Sequence, residues 1–248
     1  MKKLVISSIV ILMYFGAPLY AADWTQQLKG VLQKNTKSAD PQLEPAIRAL
    51  TGFSEQEEIT IGRQAAGNLL GAAPLVNDLN AFAAPGGYVF VTKGLYGLLR
   101  NESELAGVLA HEIAHVTHKH HLKLLQQSRL VEGGNKVLRR AVGENQQIKN
   151  LIGNGAEIFS RSLDKDAEFE ADRTAVVLAA RAGYDAFGLP AVLQEIGRGA
   201  KNDSSVALLF KTHPRPDERL VHLEQAIGNR LDSLKGATLE KRFYRLRP

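Results

Sequence analysis

Two histidines four residues apart, with a glutamate beside the first, lie in an apolar-patterned stretch: His111-Glu112-Ile113-Ala114-His115. Nothing else in the chain constrains it as much. On a helix, four residues turn about 400°, so His111 and His115 stack on one face. Their rings can converge on one Zn²⁺, which binds neutral imidazole nitrogen at about 2.0 Å. Glu112 sits next to the first ligand. It can reach a water on the metal without ligating the metal, and zinc lowers the pKa of such a water toward ~7.

A zinc that keeps a position open for water needs a third protein ligand. The candidate belongs on another buried helix face. A helix is predicted over 165–182, with Asp164 as its cap and Gly183 as its stop. Glu168, Asp172, Ala175 and Ala179 share its inward face, while Asp166 and Glu170 point the other way. Glu168 is therefore the expected third ligand. A solvated first-turn acid favoured by the helix dipole is the plainer alternative for it. Asp172, one turn on, is placed to accept the distal N–H of a ligand histidine, most simply His111, and so fix its tautomer. Arg173 can pair with a nearby carboxylate.

Around these two helices the chain reads as mainly helical with a small sheet, an α+β class. Ser54 and Glu57 form a capping box for a helix that stops near Gly71. The turn residues Pro85-Gly86-Gly87 lead into Tyr88-Val89-Phe90-Val91, the best strand in the chain. Asn101 and Glu104 form a second capping box. The helix they open is predicted to run unbroken from Glu102 to at least Leu125. His118 lies one turn beyond His115, where it can support the site, whereas His120 and His121 are expected to be solvated or locally packed. Residues 131–156 alternate glycines with polar side chains, and read as either an active-site lid or an inert surface loop. A fourth helix is predicted over 186–198. A last one, entered through His213-Pro214-Arg215-Pro216, runs to about Leu231.

The N-terminus reads as a sorting signal. Lys2 and Lys3 precede an apolar run from Leu4 to Phe15, which Gly16 and Pro18 break before the small residues Ala21 and Ala22. Residues 1–21 are predicted to be a cleaved signal peptide, with cleavage near residue 21 or 22. Residues 22–248 would then form a single exported domain with its core over about 54–231. An uncleaved anchor is the alternative, since Leu4 to Ala22 carries no charge. The chain has no cysteine, which excludes disulfides, iron–sulfur ligation, thiolate zinc sites and a lipid-modified N-terminal Cys. A net charge of +5 over 248 residues, without a nucleic-acid motif, gives no reason to expect nucleic acid as a partner.

Several separated motifs occur in a familiar order. They are Asn80-Ala81-Phe82-Ala83-Ala84-Pro85-Gly86-Gly87, the strand to Val91, His111 through His115, Ser160-Arg161, Glu168 with Asp172, and His213-Pro214 with Arg219. Together, from about Ser54 to Leu223, they resemble the zinc metallopeptidases of family M48, which include CAAX-processing and HtpX-like proteases. The small soluble periplasmic branch is the nearest in pattern. No membrane-spanning run falls within the catalytic region and no tetratricopeptide extension is expected, which are departures from several relatives.

The resemblance implies a gluzincin-like fold with one zinc between two helices, held by His111, His115 and Glu168. It implies an edge strand bordering the cleft that binds extended substrate, here Tyr88, Val89, Phe90 and Val91. It also implies that His213 can approach the metal, either as an occluding fourth ligand or to steady an oxyanion, although a packing role at a Pro-rich turn is also open. Arg219 is either an oxyanion donor or part of a structural ion pair. The expected activity is hydrolysis of peptide bonds in unfolded or misfolded envelope proteins, with Glu112 as general base. A zinc-bound, autoinhibited chaperone or outer-membrane assembly factor is the alternative, and contact with the membrane or with assembly machinery fits either.

Overall fold

The computed structural model describes residues 52–72, 78–127, 163–199, 209–210 and 213–246. The expected signal peptide, the segment 131–156, Ser160-Arg161 and the turn at 201–205 lie outside the described residues.

Helix α1 (Glu55–Ala72) opens as its capping box requires. The Ser54 backbone N–H donates to Glu57 Oε2 at 2.9 Å, and the Glu57 N–H returns to Ser54 Oγ at 3.3 Å. The helix then lies against the tip of a hairpin. A Cβ on Gly62 would sit 1.6 Å from the Pro85 carbonyl oxygen, so only glycine permits this approach.

The hairpin joins β1 (Ala81–Ala84) to β2 (Tyr88–Val91), antiparallel, with Ala81 opposite Val91 and Ala84 opposite Tyr88. Gly86 and Gly87 take φ of +79° and +91° in its turn. Strand β2 was legible from its β-branched and aromatic run, but β1 was not. Alanine carries little strand propensity, and Ala81, Ala83 and Ala84 are held extended by pairing with β2 and by burial. Phe82 stacks on Phe90 at 5.0 Å across the pair. Thr92 closes the hairpin: its N–H donates to Asn80 O at 3.0 Å and its Oγ1 accepts from Asn80 N at 3.1 Å. The same hydroxyl caps a short helix, α2 (Lys93–Leu98), which the sequence pattern did not announce.

Helix α3 (Glu102–Thr117) carries the paired histidines. Asn101 Oδ1 accepts from the Glu104 N–H at 3.0 Å, but the expected reciprocal half of the box is altered. Glu104 instead accepts from the backbone N–H and Nε of Arg100, at 2.7 and 2.8 Å. The helix also does not run through to Leu125. It stops at Thr117, Lys119 takes φ +57°, and helical backbone resumes over 120–127. Lys119 pairs with Glu58 at 2.9 Å, tying this break to α1.

Helix α4 (Lys165–Arg181) begins after Asp164, whose side chain makes no capping hydrogen bond despite its position. Gly183 (φ +87°) ends it as expected. Helix α5 (Gly188–Gly199) buries Leu189, Val192, Leu193 and Ile196. It meets α3 backbone to backbone: a Cβ on Gly188 would lie 2.1 Å from Ser103 O, and one on Gly107 2.5 Å from Leu189 N. Helix α6 (Pro216–Ile227) has proline in its first turn and packs Leu223 with Ala110, Ala175 and Val176. Helix α7 (Glu240–Leu246) was unforeseen. Its Phe243 is fully buried against Tyr96, with ring centres 5.1 Å apart, and its Arg242 pairs with Glu102.

The architecture is mainly helical, with α3 packed against both α4 and α5 and a two-stranded sheet beside it. This is the expected α+β class, consistent with a gluzincin-like domain. No helix among the described residues is long and apolar enough to cross a membrane.

Candidate metal centre

Four elements aim polar side chains at one buried point. From α3 come His111, Glu112 and His115, all about 97% buried or more. From α4 come Glu168 and Asp172, each 1% exposed. The turn before α6 supplies His213, and α6 itself supplies Arg219. The facing of α3 and α4 makes this possible, because each buries the stripe on which these residues recur at helical spacing.

The ligating atoms of His111, His115, Glu168 and His213 all lie within 4.8 Å of one another. His111 Nε2 and His115 Nε2 are 3.0 Å apart, and each is 3.6 Å from a Glu168 oxygen. His213 Nε2 is 3.7 Å from Glu168 Oε2. Both Glu168 oxygens are buried and have no hydrogen-bond partner. A carboxylate left so in a protein interior is costly unless a cation completes it. Two zinc–ligand bonds of about 2.0–2.1 Å at a tetrahedral angle separate their donor atoms by about 3.3 Å. The observed spacings bracket that value, so the residues fit a tetrahedral divalent metal.

A second layer orients these ligands. Asp172 Oδ1 accepts from His111 Nδ1 at 2.9 Å, leaving Nε2 to face Glu168 and His115. Arg219 grips the same carboxylate with two bonds, Nε to Oδ2 at 2.9 Å and Nη2 to Oδ1 at 2.5 Å. Arg219 is thus committed to Asp172, with Nη2 also 3.3 Å from His111 Nδ1. Of its two expected roles, the geometry matches the ion pair. Arg173 is exposed and lines a surface pocket together with Asp164, Asp166 and Glu170.

His120 was expected to be solvated or locally packed, and it is packed: it is 4% exposed and its Nδ1 lies 2.8 Å from His115 Nδ1, a contact with the site that the sequence did not announce. Its Nε2 lies 3.1 Å from Glu170 Oε2. The break at Lys119 folds the chain back and brings His120 there; an unbroken helix would not. His118 does not turn to His115; its contacts are with Glu170 and Thr174.

Burial and charge set the protonation states. Burial pushes the Glu112 carboxyl up to about 7, against the opposing charge of His111 and with the help of Glu168. Burial pulls His213 down to about 4, so its ring is neutral and able to ligate at neutral pH. Burial and the field of His111 lower His115 in the same way. At His111, burial and Arg219 favour the neutral ring, but the bond to Asp172 and the nearby Glu168 carboxylate outweigh them and raise it to about 9. A metal binding at Nε2 must therefore displace a proton from His111.

Beside the centre lies a cavity of about 30 Å³. His111, Glu112, His213 and Arg219 give it a polar side, and Ala81, Leu95, Val108 and Leu189 an apolar one. It is large enough to admit water beside Glu112.

Comparison with known proteins agrees with this geometry. The model for peptidase family M48 matches residues 70–227. The chain is 36% identical over 156 residues to the beta-barrel assembly-enhancing protease of Yersinia pestis, covering 59% of this chain and 32% of that protein. It is 27% identical over 176 residues to metalloprotease YcaL of Escherichia coli, covering 67% of each. The mitochondrial metalloendopeptidase OMA1 of Schizosaccharomyces pombe is 30% identical over 149 residues, covering 59% of this chain and 43% of that protein. The chain spans about a third of the length of the beta-barrel assembly-enhancing proteases it matches.

Proposed function

The chain belongs to peptidase family M48, and we propose that it is a zinc metalloendopeptidase acting on unfolded or extended polypeptides in the bacterial envelope. The observation that carries this reading is Glu168: a buried carboxylate with both oxygens unbonded, facing two histidines, one residue of which neighbours Glu112. His111, His115 and Glu168 would hold the zinc. When bound, zinc supplies a Lewis acid for the scissile carbonyl and acidifies a water in its open position.

The chain's own residues do the rest. Glu112 accepts the proton of the attacking water and delivers it to the leaving amine. Its carboxyl, raised to about 7, is poised for both transfers near neutral pH. Asp172, steadied by Arg219, holds the His111 ring in the tautomer that presents Nε2. Substrate lies extended along the hairpin, its main chain hydrogen-bonding to the edge of Tyr88–Val91. Among the described residues β2 pairs only with β1, so its other edge has no strand partner. A grip on backbone suits unfolded segments rather than a particular side chain.

Envelope localisation rests on the apolar leader after Lys2 and Lys3, and on relatives named for beta-barrel assembly. We place the chain in the small soluble periplasmic branch, exported by a signal peptide cleaved near residue 21 or 22, with outer-membrane assembly machinery as a partner.

The direct test is metal content of the purified protein together with cleavage of unfolded casein. One zinc per chain is expected, with cleavage abolished by a chelator and restored by added Zn²⁺. A zinc-loaded protein that leaves casein intact would overturn the peptidase reading.

One observation favours a second reading, an autoinhibited holding factor. His213 already stands among the ligands, its ligating atom within 4.8 Å of those of His111, His115 and Glu168. If His213 closes the centre, His213→Ala should raise kcat/KM on casein by about tenfold, the equivalent of ~1.4 kcal/mol. A fall of about 10²–10³-fold would instead make His213 an oxyanion donor.

A further inference from the structure

A second group of ligating side chains lies behind His115. The break at Lys119 brings His118 and His120 together, their rings 5.4 Å apart and nearly parallel at 13°. Glu170, on the α4 face opposite Glu168, reaches both. Its Oε2 is 3.1 Å from His120 Nε2, and its Oε1 is 3.8 Å from His118 Nδ1. The ligating atoms of the three residues lie within 4.8 Å of one another. His118 Nε2 is 3.0 Å from Thr174 Oγ1. With its proton on that nitrogen, its Nδ1 presents a lone pair beside the Glu170 carboxylate, two acceptors that a cation between them would satisfy. The His120 side chain is 2% exposed, but those of His118 and Glu170 are 33% and 44% exposed, so an ion can enter from solvent. Two imidazoles and one carboxylate suit a borderline transition metal such as Zn²⁺, Cu²⁺ or Ni²⁺, and not Ca²⁺ or Mg²⁺.

We propose that His118, His120 and Glu170 form an outer transition-metal site whose occupation weakens the centre at His111, His115 and Glu168. The site itself stands on its own geometry; the coupling rests on the proposed zinc centre. With His115 Nε2 on the inner metal, the His115 proton must sit on Nδ1, 2.8 Å from His120 Nδ1. His120 Nδ1 then accepts, and the His120 proton lies on Nε2, donated to Glu170. An outer ion takes the Nε2 lone pair and sends that proton to Nδ1. Two N–H groups then face each other at 2.8 Å, so neither ion leaves the other undisturbed. Losing such an outer partner typically costs a ligand histidine about 10–100-fold in metal affinity. Excess metal should therefore inhibit through a defined place in the fold.

The test titrates Zn²⁺ into untagged, metal-stripped full-length protein by calorimetry. Wild type should bind two ions per chain, the second more weakly. His118→Ala should bind one and, with that ion in place, should cleave casein like wild type at one equivalent. His111→Ala, which damages the inner centre only, should also bind one. Casein cleavage by wild type should fall beyond one equivalent of Zn²⁺, and His118→Ala should resist the same excess. Glu170→Gln should lose the second ion as well, which covers the case of a misfolded His118 variant. Wild type saturating at one ion that survives His118→Ala would overturn the outer site. One ion that survives His111→Ala but not His118→Ala would leave the outer site standing and overturn the inner one. Two ions bound without any loss of cleavage would overturn the coupling.

Discussion

Glu112→Gln is expected to keep its metal and its fold while losing about 10²–10⁴-fold in peptide hydrolysis. The amide has the shape of the carboxyl and fits the same buried position, so packing around α3 is preserved. It cannot accept a proton. The carboxyl's one chemical distinction in this place is its affinity for one, which burial raises to about 7 although the charge of His111 opposes it. The sign of the pH dependence follows. Below about 7 the parent Glu112 becomes protonated and can no longer act as base, so hydrolysis falls on the acid side. The residual activity of the Gln variant should lack that acid limb. Metal content by elemental analysis, thermal unfolding and casein cleavage across pH 5–9 check the three parts. A Gln variant that still cleaves at a rate near wild type would remove Glu112 from the chemistry and leave a metal centre without its base.

The parts of this site that could be read in advance are those written as short-range periodicity. His111 and His115 share a helix face because of their spacing. Glu168 and Asp172 do so on α4, and both pairs are buried together. The parts that could not be read depend on where the chain bends. His120 reaches His115 only because α3 ends at Thr117 and Lys119 turns through φ +57°, with no glycine or proline to mark the break. Strand β1 was hidden for a related reason. Its alanines have no strand preference of their own and are held extended by β2 and by burial. Helix α7 was missed because it is short, and it is held by tertiary contacts of Phe243 and Arg242 with distant residues. The capping signals were reliable where the side chain had no better partner, as at Ser54. At Asn101 only half of the box forms, because Glu104 turns to Arg100, and the Asp164 side chain makes no capping bond at all.

Asp172→Ala should be the most destabilising change at the site, costing about 3–5 kcal/mol, because it strands a buried cation. Arg219 is 4% exposed, and both of its carboxylate bonds go to Asp172. Burial works against ionising Asp172, yet Arg219 outweighs it and holds the carboxyl well below the usual range. A depressed carboxylate pKa stabilises the fold at every pH above its unfolded value of about 3.9. That contribution is lost progressively as pH falls from about 3.9 through the folded value, and Asp172→Ala should lack this acid-dependent component. The same carboxylate orients His111, and its removal should weaken metal binding by about 10–100-fold. The two effects can be separated. Pairing Asp172→Ala with Arg219→Leu removes both charges and should recover most of the lost stability, since an apolar replacement of a buried pair is often neutral. It cannot restore the acceptor at His111 Nδ1, so metal affinity should stay low. Thermal unfolding of the metal-free proteins reads the first effect and Zn²⁺ calorimetry the second. Recovery of metal affinity along with stability would mean that Asp172 serves the fold alone, with His111 oriented by its packing.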